Sequence, residues 1–141
     1  MEVADVRKGV LDAMARAKQR NAERRAKVEA SAQAFESLLS RSVVPLMRQI
    51  ANVLRVESYL FTVSTPAGGV RLASDKNADD FIKISFDTSG DAPRVVARTS
   101  WRRGRQVIDR EQTVGSGAPG SITEAEIFAF LMKEIEPFVE R

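Results

Sequence analysis

The sequence predicts an α+β protein: a long, kinked or broken N-terminal helical segment, an antiparallel β-meander of about four to five strands, and a C-terminal helix packed on the sheet. Three observations carry this. Residues 3–57 contain one glycine, Gly9, and one proline, Pro45, in a background of Ala, Glu, Arg, Lys and Leu. After Glu57 the apolar period shifts from about 3.6 residues to 2. Near the end of the chain, Thr123 with Glu126 three residues on has the form of a capping box.

The helical segment comes first. Its residues are those that lose least on entering a helix. A straight helix over all of it would reach roughly 80 Å at about 1.5 Å per residue, so the segment is expected to fold back, kink or project. From Val28, the positions Ala32, Phe35, Leu39, Val43, Leu46, Ile50 and Val53 form one apolar stripe suited to docking on a sheet. Pro45 interrupts that stripe; it disfavours helical geometry at Val44 and removes a hydrogen bond, which predicts a kink or a new helix there. Before Val28 the apolar seam is thin, running through Val3, Val6, Val10, Met14 and Ala17, and residues 16–27 are nearly all charged or small. The chain is therefore divided into a charged helical arm, 1–27, and a single α+β domain, 28–141.

The strands follow. Tyr59, Phe61 and Val63 alternate with Leu60, Thr62 and Ser64, and Pro66 to Gly69 turns the chain into Val70-Arg71-Leu72. Ile82, Ile84 and Phe86 alternate with Lys83 and Ser85, and Asp87 to Pro93 leads into Val95 to Trp101. Residues 102–105 read as a tight loop into the more polar run Gln106 to Val114, an expected edge strand. Such short connections imply antiparallel pairing. The last helix should start at Thr123, stapled by Ile122 against Ile127, bury Ile127, Phe130, Leu131, Ile135 and Phe138, and bend or end at Pro137.

Composition narrows the function classes. With 43% hydrophobic and 29% charged residues, the chain has the balance of a folded protein rather than of a disordered tail. It has no cysteine and no histidine. That excludes a disulfide scaffold, Ser-His-Asp and Cys-His nucleophiles, and ordinary zinc chemistry. No signal peptide or membrane span is expected, and the predicted location is cytoplasmic.

Four motifs have both a functional and a plainer reading. Gly115-Ser116-Gly117-Ala118-Pro119-Gly120 fits G-x-G-x-x-G, but no second strand follows the helix, and Glu124 and Glu126 in its first turn would repel a pyrophosphate. It reads as a flexible linker. Asp75 to Asp80 echoes the start of a calcium loop, but Asp80 stands where a glycine is needed and Phe86 where the bidentate glutamate belongs. A solvated turn is the better account. Arg98, Trp101, Arg102, Arg103 and Arg105 gather guanidinium groups around the one tryptophan, a set that could hold phosphates and stack a base, or simply form a solvated hairpin tip. Arg16, Arg20, Arg24 and Lys27 share one helix face. In residues 1–30, eight basic against five acidic side chains leave +3, equal to the formal charge of the whole chain. Attraction to any acidic partner should therefore concentrate on the arm.

The expected function is a protein-interaction or adaptor-type module that self-associates through its N-terminal helix, with a homodimer or a helical protein as partner. Arg16, Arg20, Arg24 and Lys27 are the partner-binding candidates. The alternative is a nucleic-acid-binding protein using the basic arm and the Arg98, Trp101, Arg102, Arg103 and Arg105 set; nucleic acid is the less favoured partner, because +3 is a small charge for phosphate neutralisation. No catalytic residue, metal ligand or cofactor is assigned, and an enzyme is the least favoured class.

Overall fold

Helix α1 runs from Val3 to Leu38 in the computed structural model, which describes residues 1–90 and 92–140. Asp5 in its first turn faces the positive end of the helix dipole. A single π turn, Leu39–Val43, then leads into α2, Val44–Val56. Pro45 explains that turn. In a regular α-helix its ring would crowd the carbonyl of Arg41 and its missing N–H would break the ladder. The wide turn shifts the hydrogen-bond register, so that the Val44 N–H donates to the Leu39 carbonyl and Pro45 falls in the first turn of α2, where its N–H is not needed. Val44 itself stays helical at φ −64° and ψ −47°, which corrects the expectation that the proline would push it out of that region.

The end of α2 is closed by a pair of backbone bonds. Tyr59 N–H donates to the Leu54 carbonyl at 2.8 Å and Ser58 N–H to the Arg55 carbonyl at 3.0 Å, the pattern of a Schellman motif. Ser58 takes the left-handed position at φ 73°.

Five strands form one antiparallel sheet whose spatial order is the chain order: β1 Phe61–Ser64, β2 Gly69–Ser74, β3 Phe81–Asp87, β4 Arg94–Arg103 and β5 Gln106–Thr113. The sheet begins at Phe61, so Tyr59 and Leu60 precede it. Register places Val70, Ile84 and Ala97 side by side, and likewise Leu72, Ile82 and Thr99. These alternate positions make the core face. Gly69 sits where β2 passes so close to the Ile84 carbonyl that a methyl group would clash with it. Gly104, at φ +63°, occupies the first central place of the two-residue β4–β5 turn, where a II′ hairpin requires it.

A 3-10 turn, Pro119–Ser121, precedes α3, Glu124–Glu134, and Pro137 falls in the first turn of the short helix α4, Glu136–Val139. Thr123 caps α3 as expected, its hydroxyl accepting from Glu126 N–H at 3.2 Å. The G-x-G-x-x-G stretch, expected to be a flexible linker, is instead bonded to the sheet: Val95 N–H donates to the Gly117 carbonyl at 2.8 Å, and both Gly117 and Pro119 are buried.

The chain divides into two units, Met1–Ala30 and Ser31–Arg141. In the first, every side chain from Met1 to Lys27 is exposed. In the second, Val43, Met47, Leu72, Ile82, Ile84, Ile127 and Leu131 are wholly buried, each contributing roughly 1.5–3 kcal/mol of apolar transfer. Phe35 stacks on Phe86 with ring centroids 5.2 Å apart, and Phe61 meets Phe138 at 5.3 Å. The predicted stripe is corrected at one place: Val53 is 64% exposed, and Met47, Ala51 and Leu54 take the buried positions after the π turn has rotated the helix. Among the described residues, no helix is long and apolar enough to cross a membrane.

Candidate functional site

The arm offers two surfaces of different chemistry. Val3, Val6, Val10, Leu11 and Met14 recur at helical spacing and each exposes half of its surface or more. Leu11 went unnoticed in the sequence pattern, although its place three residues before Met14 marks it as part of the same seam. Further along, Arg16, Arg20, Arg24 and Lys27 are all exposed and, among the described residues, have no ion-pair partner.

The arginine-rich hairpin is split by strand alternation. Arg98 and Arg102 lie on the face turned away from the core, and each is held by a carboxylate. Arg98 Nε donates to both carboxylate oxygens of Asp109 at 3.0 and 2.9 Å, and Arg102 pairs with Asp79 at 2.7 Å. The hydrogen bond from Arg98 lowers the Asp109 pKa, and the same bond raises that of Arg98. Trp101 lies on the core side, half-buried, with the Arg110 guanidinium 5.4 Å from its ring centroid. Arg103 and Arg105, at the tip, are exposed and have no ion pair among the described residues. The five predicted residues are thus divided between the two faces and the tip.

Two features escaped the sequence reading. Asp80, assigned to a solvated turn, is buried and accepts the backbone N–H of Arg102 at 2.9 Å, fixing the turn before β3 against the end of β4. Glu134, on α3, is wholly buried and receives hydrogen bonds from Arg110 and Gln112, both on β5. Arg110 and Gln112, two positions apart and so on one face of β5, were the available signal for the latter.

The domain also carries an open apolar groove of about 270 Å³ between α2 and α3, lined chiefly by Leu46, Ile50, Val53, Phe128, Met132 and Ile135. Its exposed rim explains why Val53 and Phe128, apolar residues on core-facing helices, remain about half or more exposed. Comparison of the chain with known protein families, curated proteins and solved structures finds no significant match.

Proposed function

We propose that this protein is an interaction module whose N-terminal helix packs on the same helix of a second copy. The observation that supports this reading is the exposed seam of Val3, Val6, Val10, Leu11 and Met14 on a regular helix. A helix standing in water is marginal even with good intrinsic propensity, and the burial of an apolar stripe is the usual source of its stability. The stripe is narrow and carries Arg7 within it, between Met14 and Leu11, with Lys8 and Asp12 on the side turned away, which suits a helical partner better than a broad apolar surface.

Light scattering on the full chain tests this. Self-association predicts a mass of at least twice the 15.6 kDa chain, falling to 15.6 kDa in the V6E/V10E/M14E variant. A full chain that stays at 15.6 kDa at every concentration overturns the reading.

A second reading, nucleic-acid binding, is favoured by the cations of the arm, Arg16, Arg20, Arg24 and Lys27, which have no ion pair among the described residues, and by Arg103 and Arg105 at the hairpin tip. Phosphate neutralisation by these groups would show as binding that weakens steeply with salt. Substituting the arm or the tip cations should then reduce the affinity.

A further inference from the structure

The sheet face turned away from the core carries a row of three cations. Arg71 on β2, Lys83 on β3 and Arg98 on β4 are direct register partners. At the usual strand spacing, the outer two are about 10 Å apart. Like charges placed opposite one another destabilise a sheet, and here two such pairs adjoin. Only Arg98 is neutralised, by Asp109, with Glu111 opposite it on β5. Among the described residues, no carboxylate forms an ion pair with Arg71 or Lys83.

Arg71 is held by a ring instead. Its guanidinium lies 4.2 Å from the centroid of Phe81, one row along the same face, and Arg98 stands 5.7 Å from that centroid. In this position the Arg71 Nε is buried and, among the described residues, has no hydrogen-bond partner. A buried donor left unpaired costs about 1–3 kcal/mol, so its present place over the ring is not one in which all its bonds are made. Ser100, the register partner of Phe81 on β4, adds a hydroxyl beside the ring.

The shape of the surface narrows the ligand. None of the three cations lines the grooves beside Phe128, Gly104, Arg48 or Tyr59. Small ligands draw their affinity from enclosure. A row of cations beside an aromatic ring on an open sheet suits a polymer that carries both phosphates and flat bases. It offers no helix or projecting ribbon for a duplex groove.

We propose that this face binds single-stranded nucleic acid. Lys83 contacts a backbone phosphate. Arg71 swings from the ring to a phosphate, which completes its hydrogen bonds, and the uncovered face of Phe81 stacks a base. None of these residues belongs to the arm, so their substitution tests the proposal independently of self-association.

The test is fluorescence anisotropy on the full chain with a labelled strand of ~15 nucleotides, at about 50 and about 200 mM salt. The chain should bind the single strand more tightly at the lower salt, and more tightly than the matching duplex. R71Q/K83Q should weaken binding at least about tenfold and flatten its salt dependence. F81L should weaken it about fivefold with the salt dependence unchanged. Circular dichroism checks the fold of each variant, and K83Q alone replaces any that is perturbed. The proposal is overturned if the full chain shows no salt-sensitive binding, or if R103Q/R105Q or R16Q/R20Q/R24Q abolishes binding while the face variants do not. Equal affinity for the duplex, or binding only to phosphatidylserine vesicles through the same residues, overturns it as well.

Discussion

Arg110 and Glu134 join the edge strand β5 to helix α3, the guanidinium donating to a carboxylate that is buried from solvent. The two ends of the pair differ. The Glu134 side chain is 1% exposed and that of Arg110 is 45% exposed. If Arg110 is removed, a charge stays buried with Gln112 as its one remaining donor among the described residues; if Glu134 is replaced, Arg110 can turn to water.

That asymmetry sets the first prediction. Arg110→Ala should cost roughly 2–3 kcal/mol, below the full range for a broken buried pair because Gln112 still bonds the carboxylate. Glu134→Gln should cost only about 1 kcal/mol, since an amide keeps the packing and can still accept from Arg110. Urea denaturation of the two variants checks the order, and equal losses would contradict it.

Acid stability should depend on Asp109. Its pKa is lowered by the hydrogen bond from Arg98, from an ordinary value of 3.8. A carboxylate whose folded value is depressed stabilises the fold fully above its unfolded pKa and loses that contribution as the pH falls through the folded one. Between about pH 5 and about pH 2, Asp109→Asn should therefore lose less thermal stability than the natural protein does. Parallel melting curves through that window would refute the assignment.

The cap of α3 should behave as an isolated local feature. Thr123→Ala removes the acceptor for Glu126 N–H and should destabilise by about 1 kcal/mol, whereas Thr123→Ser should be nearly neutral. Thermal unfolding of the pair separates loss of the cap from loss of the side-chain methyl.

At Ser58 the expected change is a gain. A non-glycine residue at φ 73° pays a steric cost in the left-handed region, and the Schellman closure of α2 requires that conformation. Ser58→Gly should raise stability by roughly 0.5–1 kcal/mol, the gain being reduced by the greater freedom of glycine in the unfolded chain. A lower midpoint in urea would show that the serine side chain is needed there.

Thr99 gives a comparable test in the core. Its hydroxyl is buried and has no partner among the described residues. Thr99→Val keeps the β-branched shape and removes the unpaired group, so the variant should be as stable as the natural protein or up to about 1–2 kcal/mol more stable. A clear loss, read by denaturant midpoint, would mean that the hydroxyl has a bonding role.

How much was legible follows from the range of each interaction. The order of elements was set by local periodicity: the helix-forming run before Glu57, the alternation of Ile82, Ile84 and Phe86, and the Thr123 cap all act within a few residues. The way Pro45 is accommodated was not legible, because a kink, a break and a π turn all answer the same missing N–H. Val53 fell out of the buried stripe for that reason, since the widened turn rotates every later position of α2.

The candidate sites divide in the same way. The sequence alone determined that the chain has no thiol or imidazole chemistry, that it carries basic character in its first thirty residues, and that it builds an α+β meander. Only the tertiary structure decided that Arg98 and Trp101 face opposite sides, that Asp80 and Glu134 are buried, and that Arg71, Lys83 and Arg98 stand in one row. Those facts depend on strand register and helix docking, which bring together residues separated by tens of positions, and no local pattern encodes which of them will meet.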